Sequence, residues 1–154
     1  MEQSGGAKDL LDPKNDVTIH NETNLEMAWA EKAFKRAEIH EALLKMSKDR
    51  SKLKLTKYDD QVYQLFRERF PNLSVEIVTE EDLKNKEAKE KWRPFCMEFE
   101  KVVEEYNYAT LLRKDCKLEY NEYNSYIVPK IQWLAIEVAR NKEGYNNKYG
   151  EKKK

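Results

Sequence analysis

The placement of glycine narrows what this chain can fold into more than any other feature. All four glycines, Gly5, Gly6, Gly144 and Gly150, lie near the ends, and residues 24–143 contain none. Phosphate loops and dinucleotide turns need glycine so that backbone amides can approach the phosphate, and nucleophile elbows need it to relieve a strained turn. A glycine-free folded region therefore argues against P-loop nucleotide hydrolysis, Rossmann-type cofactor binding and α/β-hydrolase chemistry. It also weakens any case for S-adenosylmethionine. The chain reads as binding neither ATP, GTP nor S-adenosylmethionine, with no cofactor and no enzyme activity.

The 154 residues hold 29 Lys+Arg against 29 Asp+Glu, and mean hydropathy is −0.97. So low a hydropathy suits disorder, but disordered chains pair it with net charge and few aromatics. This chain has no net charge, nine Tyr, five Phe and three Trp. It reads as a folded domain of charge-laced helices with polar tails. The longest uncharged stretches, Tyr106–Leu112 and Tyr123–Pro129, are far shorter than the ~20 apolar residues of a spanning helix. Met1–Leu10 lacks the apolar core of a secretory signal. No membrane is implied, and a cytoplasmic, also nuclear, location is expected. Balanced charge argues against a nucleic-acid partner. Cys96, Cys116, His20 and His40 show no zinc-ligand spacing, so no metal site is expected.

Residues 1–23 read as a flexible lead-in, 24–145 as one globular domain and 146–154 as a basic tail. Asn24 is a plausible cap for a helix to about Met46, its stripe including Ala30, Phe34, Ala37 and Leu44. Thr56-x-x-Asp59 and Thr79-x-x-Asp82 have the form of capping boxes. The first opens a helix ending at Phe70-Pro71, the second a charged helix to about Lys91. Pro94 then suits the first turn of a helix carrying Phe95, Phe99, Val102, Val103 and Tyr106. Leu73–Val78 and Tyr108–Arg113 read as strands. Pro129 opens a last helix with the stripe Ile131, Leu134, Ala135, Val138, Ala139, closed by Gly144. The fold class is α+β, a helix-rich single domain with a small antiparallel sheet. Its expected core is Trp29, Phe34, Leu44, Val62, Phe66, Phe95, Phe99, Val103, Leu134 and Val138.

No residue set reads as catalytic. Asp59 and Asp60 are neighbours that point about 100° apart on a helix, which makes Asp59 a capping residue and leaves Asp60 for a salt bridge or a partner. His40 reads as a core or boundary histidine and Cys96 as a packed thiol. Trp92 and Phe95 can clamp the proline turn into the core, with Arg93 paired to an acid such as Asp60 or Glu137. The same aromatic, proline and arginine composition also fits a protein-binding hot spot. Asn107, Arg113, Asp115, Glu137, Arg140 and Asn141 are polar residues inside or beside apolar runs, where each can satisfy buried backbone groups.

Taken in order, Glu26–Ala30 (EMAWA), Leu53–Phe66 (LKLTKYDDQVYQLF), Ala88–Cys96 (AKEKWRPFC), Tyr106–Cys116 (YNYATLLRKDC) and Ile131–Tyr145 (IQWLAIEVARNKEGY) cover most of residues 26–146. Together they resemble the polysaccharide biosynthesis domain-containing family of small eukaryotic proteins. The resemblance implies an ATP-independent, dedicated chaperone of newly made translation elongation factor one-alpha, engaging the client's GTP-binding domain as it leaves the ribosome. It also implies a link to the ribosome through the nascent-polypeptide-associated complex, made by a C-terminal segment. The family name implies a second reading, an accessory protein or enzyme of polysaccharide biosynthesis; a generic protein adaptor is the third. Lys57, Asp60, Trp92, Arg93, Asn107, Arg113 and Arg140, embedded in the family-like stretches, are the candidate partner-binding residues. They account for a client surface if they are exposed and cluster.

Overall fold

Rich in Ala, Glu, Lys and Leu and free of Gly and Pro, residues Thr23–Met46 form one long helix, α1, as residues of high helix propensity favour. The computed structural model describes residues 23–151, with side chains from Ala28 onward. The expected lead-in before Thr23 and the last three lysines lie outside the described residues, and Asn24 falls inside α1 rather than capping it. After α1 come α2 (Asp59–Arg69), α3 (Glu80–Lys84), α4 (Lys86–Met97), β1 (Ala109–Arg113), β2 (Ser125–Pro129) and α5 (Lys130–Lys142). Short 3-10 turns occupy Arg50–Lys52 and Tyr145–Lys148. β1 and β2 form a two-stranded antiparallel sheet, so the fold is the expected α+β single domain.

Local chemistry sets the helix boundaries. The Thr79 hydroxyl accepts from the Asp82 amide while the Asp82 carboxylate accepts from the Thr79 amide, a reciprocal cap. Asp59, buried, accepts from the amides of Leu55 and Thr56 at 2.8 Å each and so ties down the turn that leads into α2. The helix begins at Asp59 itself, however, and its N-cap, Tyr58, makes no side-chain cap, so the expected Thr56 capping box does not form. The charged helix after Thr79 is two helices, because Asn85 adopts extended backbone and its side chain caps α4 through the Ala88 amide. Gly144, at φ 87°, supplies the left-handed residue just past α5.

α5 is the hub. It packs against α2, α4, both strands and both 3-10 turns, and every residue from Ile131 to Asn141 is buried. The apolar stripe foreseen on it is therefore one part of a helix enclosed on all sides. On its α2 and α4 side lies an aromatic cluster: Trp92 stacks on Phe70 at 4.3 Å between ring centroids, and Phe66, Phe95 and Phe99 continue it.

Four further expectations are corrected. Leu73–Val78 is not a strand: it contributes one isolated bridge, Ile77 to Asp115, and the partner of β1 is Ser125–Pro129, in register from Ala109↔Pro129 to Arg113↔Ser125. The connection between the strands, residues 114–124, is too long to carry a hairpin turn signature. Pro94 lies in the last turn of α4 and opens no helix. Beyond Met97 the backbone bonds mostly span three residues rather than four, yet these turns still deliver Phe99 and Val103 to the core. Of the ten expected core residues, Phe34 is 61% exposed and Trp29 only half-buried, while the other eight are buried. The line that α1 buries is Ala33, Ala37, His40 and Leu44. Finally, the chain after Tyr145 does not start as a tail. Asn146 is fully buried, the Tyr149 hydroxyl donates to Glu41, and the Gly150 amide donates to the Lys117 carbonyl.

Candidate functional site

The seven candidate residues do not form one surface. Arg113 and Arg140 are completely buried, Trp92 and Asn107 nearly so, and only Lys57, Asp60 and, in part, Arg93 reach solvent. Trp92 belongs to the aromatic cluster, as the structural reading of the proline turn required. Both acids offered to Arg93 have other partners. Asp60 pairs with Lys142, whose ammonium holds its carboxyl below the usual range. Glu137 is taken up by two other arginines.

Those arginines build the most unusual feature of the interior. Arg113, on β1, donates to both carboxylate oxygens of Glu137 on α5, at 2.8 Å and 3.1–3.2 Å. Arg140, one turn further along α5, donates to the same carboxylate at 3.0 Å. Asn146 bridges the two sides, accepting from Arg113 and donating to Glu137 and Asn141. Further guanidinium N–H groups go to backbone carbonyls: Arg113 to Cys116 and Leu118, Arg140 to Val75 and Lys114. All four carbonyls belong to segments outside helix and strand, where regular ladders do not satisfy them; Lys114 also accepts from the Val78 amide and Leu118 from the Asn124 side chain. One carboxylate between two guanidiniums leaves a surplus positive charge, and these carbonyl dipoles offset it. Burial alone would raise the Glu137 carboxyl, but Arg113 and Arg140 outweigh it and hold it far below the usual glutamate range.

His40, from α1, closes the network. The Trp133 indole N–H donates to the Tyr120 oxygen, and the Tyr120 hydroxyl lies 2.7 Å from His40 Nδ1. His40 Nε2 lies 3.9 Å from Glu137 and has no hydrogen-bond partner among the described residues. Burial pushes His40 down to about 4; Glu137 opposes the shift, and Arg113 and Arg140 add to it. The ring is neutral at pH 7. With every oxygen of Glu137 occupied and the three ionic side chains closed to solvent, this centre is a clamp on irregular chain. Among the described residues no group of three or more His, Cys, Asp and Glu side chains is placed to hold a metal ion. None of their helices is long and apolar enough to cross a membrane.

The surface offers a different kind of site. A groove of about 710 Å³ runs between α1 and the β1–β2 hairpin. Phe34 projects into it from α1, and Leu111 and Ile127, directly opposite each other in the sheet register, supply its apolar floor. Glu38, Glu41 and Glu122 stand on its rim. None of these residues was a candidate in the sequence, although one signal was present. Ala33 and Phe34 are adjacent and point about 100° apart on a helix, so on a helix buried along one face only, one of the two lies at the edge of that face. Phe34 also has Glu38 one turn later on its own face.

The family relationships agree with this fold. A family model described as PBDC1 protein matches residues 25–151. Protein PBDC1 of Mus musculus is 54% identical over 126 residues, covering 82% of this chain and 63% of that protein. Protein PBDC1 of Homo sapiens is 51% identical over 126 residues, covering 82% and 54%. The chain thus spans little more than half the length of these two relatives, but 93% of the Saccharomyces cerevisiae PBDC1 homolog, at 45% identity over 137 residues. A solution NMR structure of a protein from Saccharomyces cerevisiae superposes with a TM-score of 0.73 at 45% identity, covering 81% of this chain and 88% of that one. By sequence and by fold, the chain belongs to the PBDC1 protein family.

Proposed function

We propose that this protein is an ATP-independent, client-specific chaperone that binds the GTP-binding domain of newly made translation elongation factor one-alpha in the cytoplasm. The family resemblance suggests the client. The observation that carries a binding role is the groove beneath α1, where Phe34, Leu111 and Ile127 leave an apolar cleft open to solvent. A protein that shields unfinished chain needs such a surface, apolar at its centre and polar at its rim. The interior polar residues serve the fold, which leaves recognition to the outside. Lys57, Asp60 and Arg93 can contribute there, while Trp92, Asn107, Arg113 and Arg140 act as scaffold. On this reading no catalytic step and no cofactor are involved, and contact with the nascent-polypeptide-associated complex would place the protein where its client emerges. The test is to crosslink the protein in translating cells, purify it and sequence what comes with it. Nascent chains of elongation factor one-alpha should be enriched over other nascent chains. Enrichment of glycan-synthesising enzymes in their place, or no enrichment of that factor, would overturn the proposal.

A further inference from the structure

We propose that the groove between α1 and the β1–β2 hairpin docks an apolar segment of a partner polypeptide flanked by basic residues. The inference rests on the binding role proposed above and assigns it a surface and a ligand chemistry. Three observations meet at this place. The floor is apolar and its most prominent side chain, Phe34, is 61% exposed, although it sits on a helix whose neighbouring Ala33 and Ala37 are buried. The rim is charged with one sign only: among the described residues Glu38, Glu41 and Glu122 line the groove and no Lys or Arg does, in a chain with equal numbers of acids and bases. Glu41 already accepts from the Tyr120 amide and the Tyr149 hydroxyl, so it is fixed in place, while Glu38 and Glu122 are exposed.

The third observation is an unused hydrogen-bonding group. The Ser125 hydroxyl, in the groove wall, is buried from solvent and has no hydrogen-bond partner among the described residues. A buried polar atom left unpaired costs free energy, and rotation of this hydroxyl toward the groove would let it pair with the backbone of a bound peptide. Among the described residues β2, on which Ser125 and Ile127 stand, is paired on one side only, so the same wall offers strand-edge backbone to an extended segment. An apolar side chain beside Phe34 with Lys or Arg at the rim answers all three features. An acidic segment would meet like charge, and a purely polar one would leave the floor wet.

The probe is a short fluorescein-labelled peptide alternating leucine with lysine, compared with its leucine–glutamate counterpart by fluorescence anisotropy on the full chain. The leucine–lysine peptide should bind the more tightly. Phe34→Ala should weaken it by roughly tenfold or more, the loss expected of a central interface aromatic. Glu38→Lys combined with Glu122→Lys should reverse the preference between the two peptides. Ile39→Ala, at an exposed apolar residue outside the groove, should change nothing. Should Phe34→Ala fail to fold by circular dichroism, the double charge reversal at two exposed positions carries the test. Equal binding of the two peptides, undiminished binding by Phe34→Ala, or an equal loss with Ile39→Ala would each overturn the proposal. So would a dimer of the parent that dissociates in Phe34→Ala, since it would assign the groove to a second copy. Capture of elongation factor one-alpha separates the two proposals. If parent and Phe34→Ala capture it equally, the groove is wrong and the client stands. If the parent captures none while peptide binding still depends on the groove, the client is wrong and the groove stands.

Discussion

The two sides of α5 are both buried, yet they are held by opposite chemistry. Toward α2 and α4 it meets Phe66, Phe70, Trp92, Phe95 and Phe99, all buried and stacked or tilted against one another. Toward β1 and the C-terminal turn it meets Arg113, His40 and Asn146, with Glu137 and Arg140 of its own. The difference follows from the backbone each side has to cover. Helices satisfy their own amides and carbonyls, so the first side needs only apolar bulk. The second side is walled by residues 75–78, 114–124 and 146, where little regular structure satisfies the backbone, and buried carbonyls there require donors. Arginine, with five N–H groups in a fixed fork, can serve a carboxylate and two carbonyls at once. Polar residues occupy this half of the core because the chain around it is irregular.

The sharpest way to break that contrast is to compare Glu137→Gln with Phe95→Leu. The first keeps the shape but leaves two buried guanidiniums without a counter-ion, for which a loss of about 3–5 kcal/mol is expected. The second removes ring contacts but keeps an apolar residue of similar size, at about 1 kcal/mol. Urea unfolding monitored by tryptophan fluorescence measures both. Equal losses would mean that the ionic half is no more demanding than the aromatic half. Buried ion clusters can often be exchanged for apolar residues at little cost. Here the exchange should fail, because Arg113 and Arg140 also hold the carbonyls of Val75, Lys114, Cys116 and Leu118.

Acid distinguishes the halves next. His40 titrates near 4 in the folded protein against 6.5 when free. Between those values the unfolded chain holds a proton that the folded chain refuses, so stability rises with pH and is lost as pH falls from 6.5 to 4. The loss amounts to about 3 kcal/mol. Glu137, depressed by its arginines, keeps its contribution above the ordinary glutamate value of 4.5 and loses it only as pH falls below that. His40→Gln retains a hydrogen-bonding group for Tyr120 and removes the titrating ring. Its stability should change much less between pH 6.5 and 4 than that of the parent. The same pH dependence in both proteins would show that the buried imidazole is not what makes the ionic half acid-sensitive.

The aromatic half was legible in the sequence and the ionic half only in outline. Helical spacing placed Val62, Phe66, Phe95 and Phe99 in the core, because a helix turns local spacing into a face. The polar residues within apolar runs were visible as well. What spacing could not reveal is that Arg113, Glu137, Arg140 and Asn146 meet, since Arg113 stands on a strand separated from α5 by residues 114–129 and Asn146 falls in a stretch that read as tail. β2 was hidden for a related reason: its pairing with β1 closes across residues 114–124, organised by Asn124, whose side chain donates to the carbonyls of Asp115, Leu118 and Glu119. Neither that side-chain scaffold nor the arginine clamp has a periodicity to read. The groove was missed because Phe34 counted as core; Glu38 one turn later hinted otherwise, and the packing of α1 on the sheet shows that Phe34 faces outward.

The smallest effect is expected at the outer end of α5, where Lys142 pairs with Asp60 in open water. It is an ion pair like those of the centre, but solvent screens it and two side chains must be held in one geometry to keep it. Exposed pairs of this kind contribute little. Asp60→Asn should therefore leave the thermal midpoint unchanged, in contrast to Glu137→Gln, although both remove one carboxylate charge. The Lys142–Asp60 pair also joins α5 to α2, where Arg67 and Tyr63 already grip Glu143 with three hydrogen bonds of 2.7–2.8 Å, so the helix contact does not depend on it. A marked fall in the midpoint would mean that charge matters at the rim as much as in the centre, and the division between the two kinds of core would lose its basis. With the midpoint unchanged, Asp60→Asn becomes a clean probe of recognition. Any loss of client capture by this variant could then be assigned to the surface around Asp60, and retained capture would confine recognition to other parts of the surface.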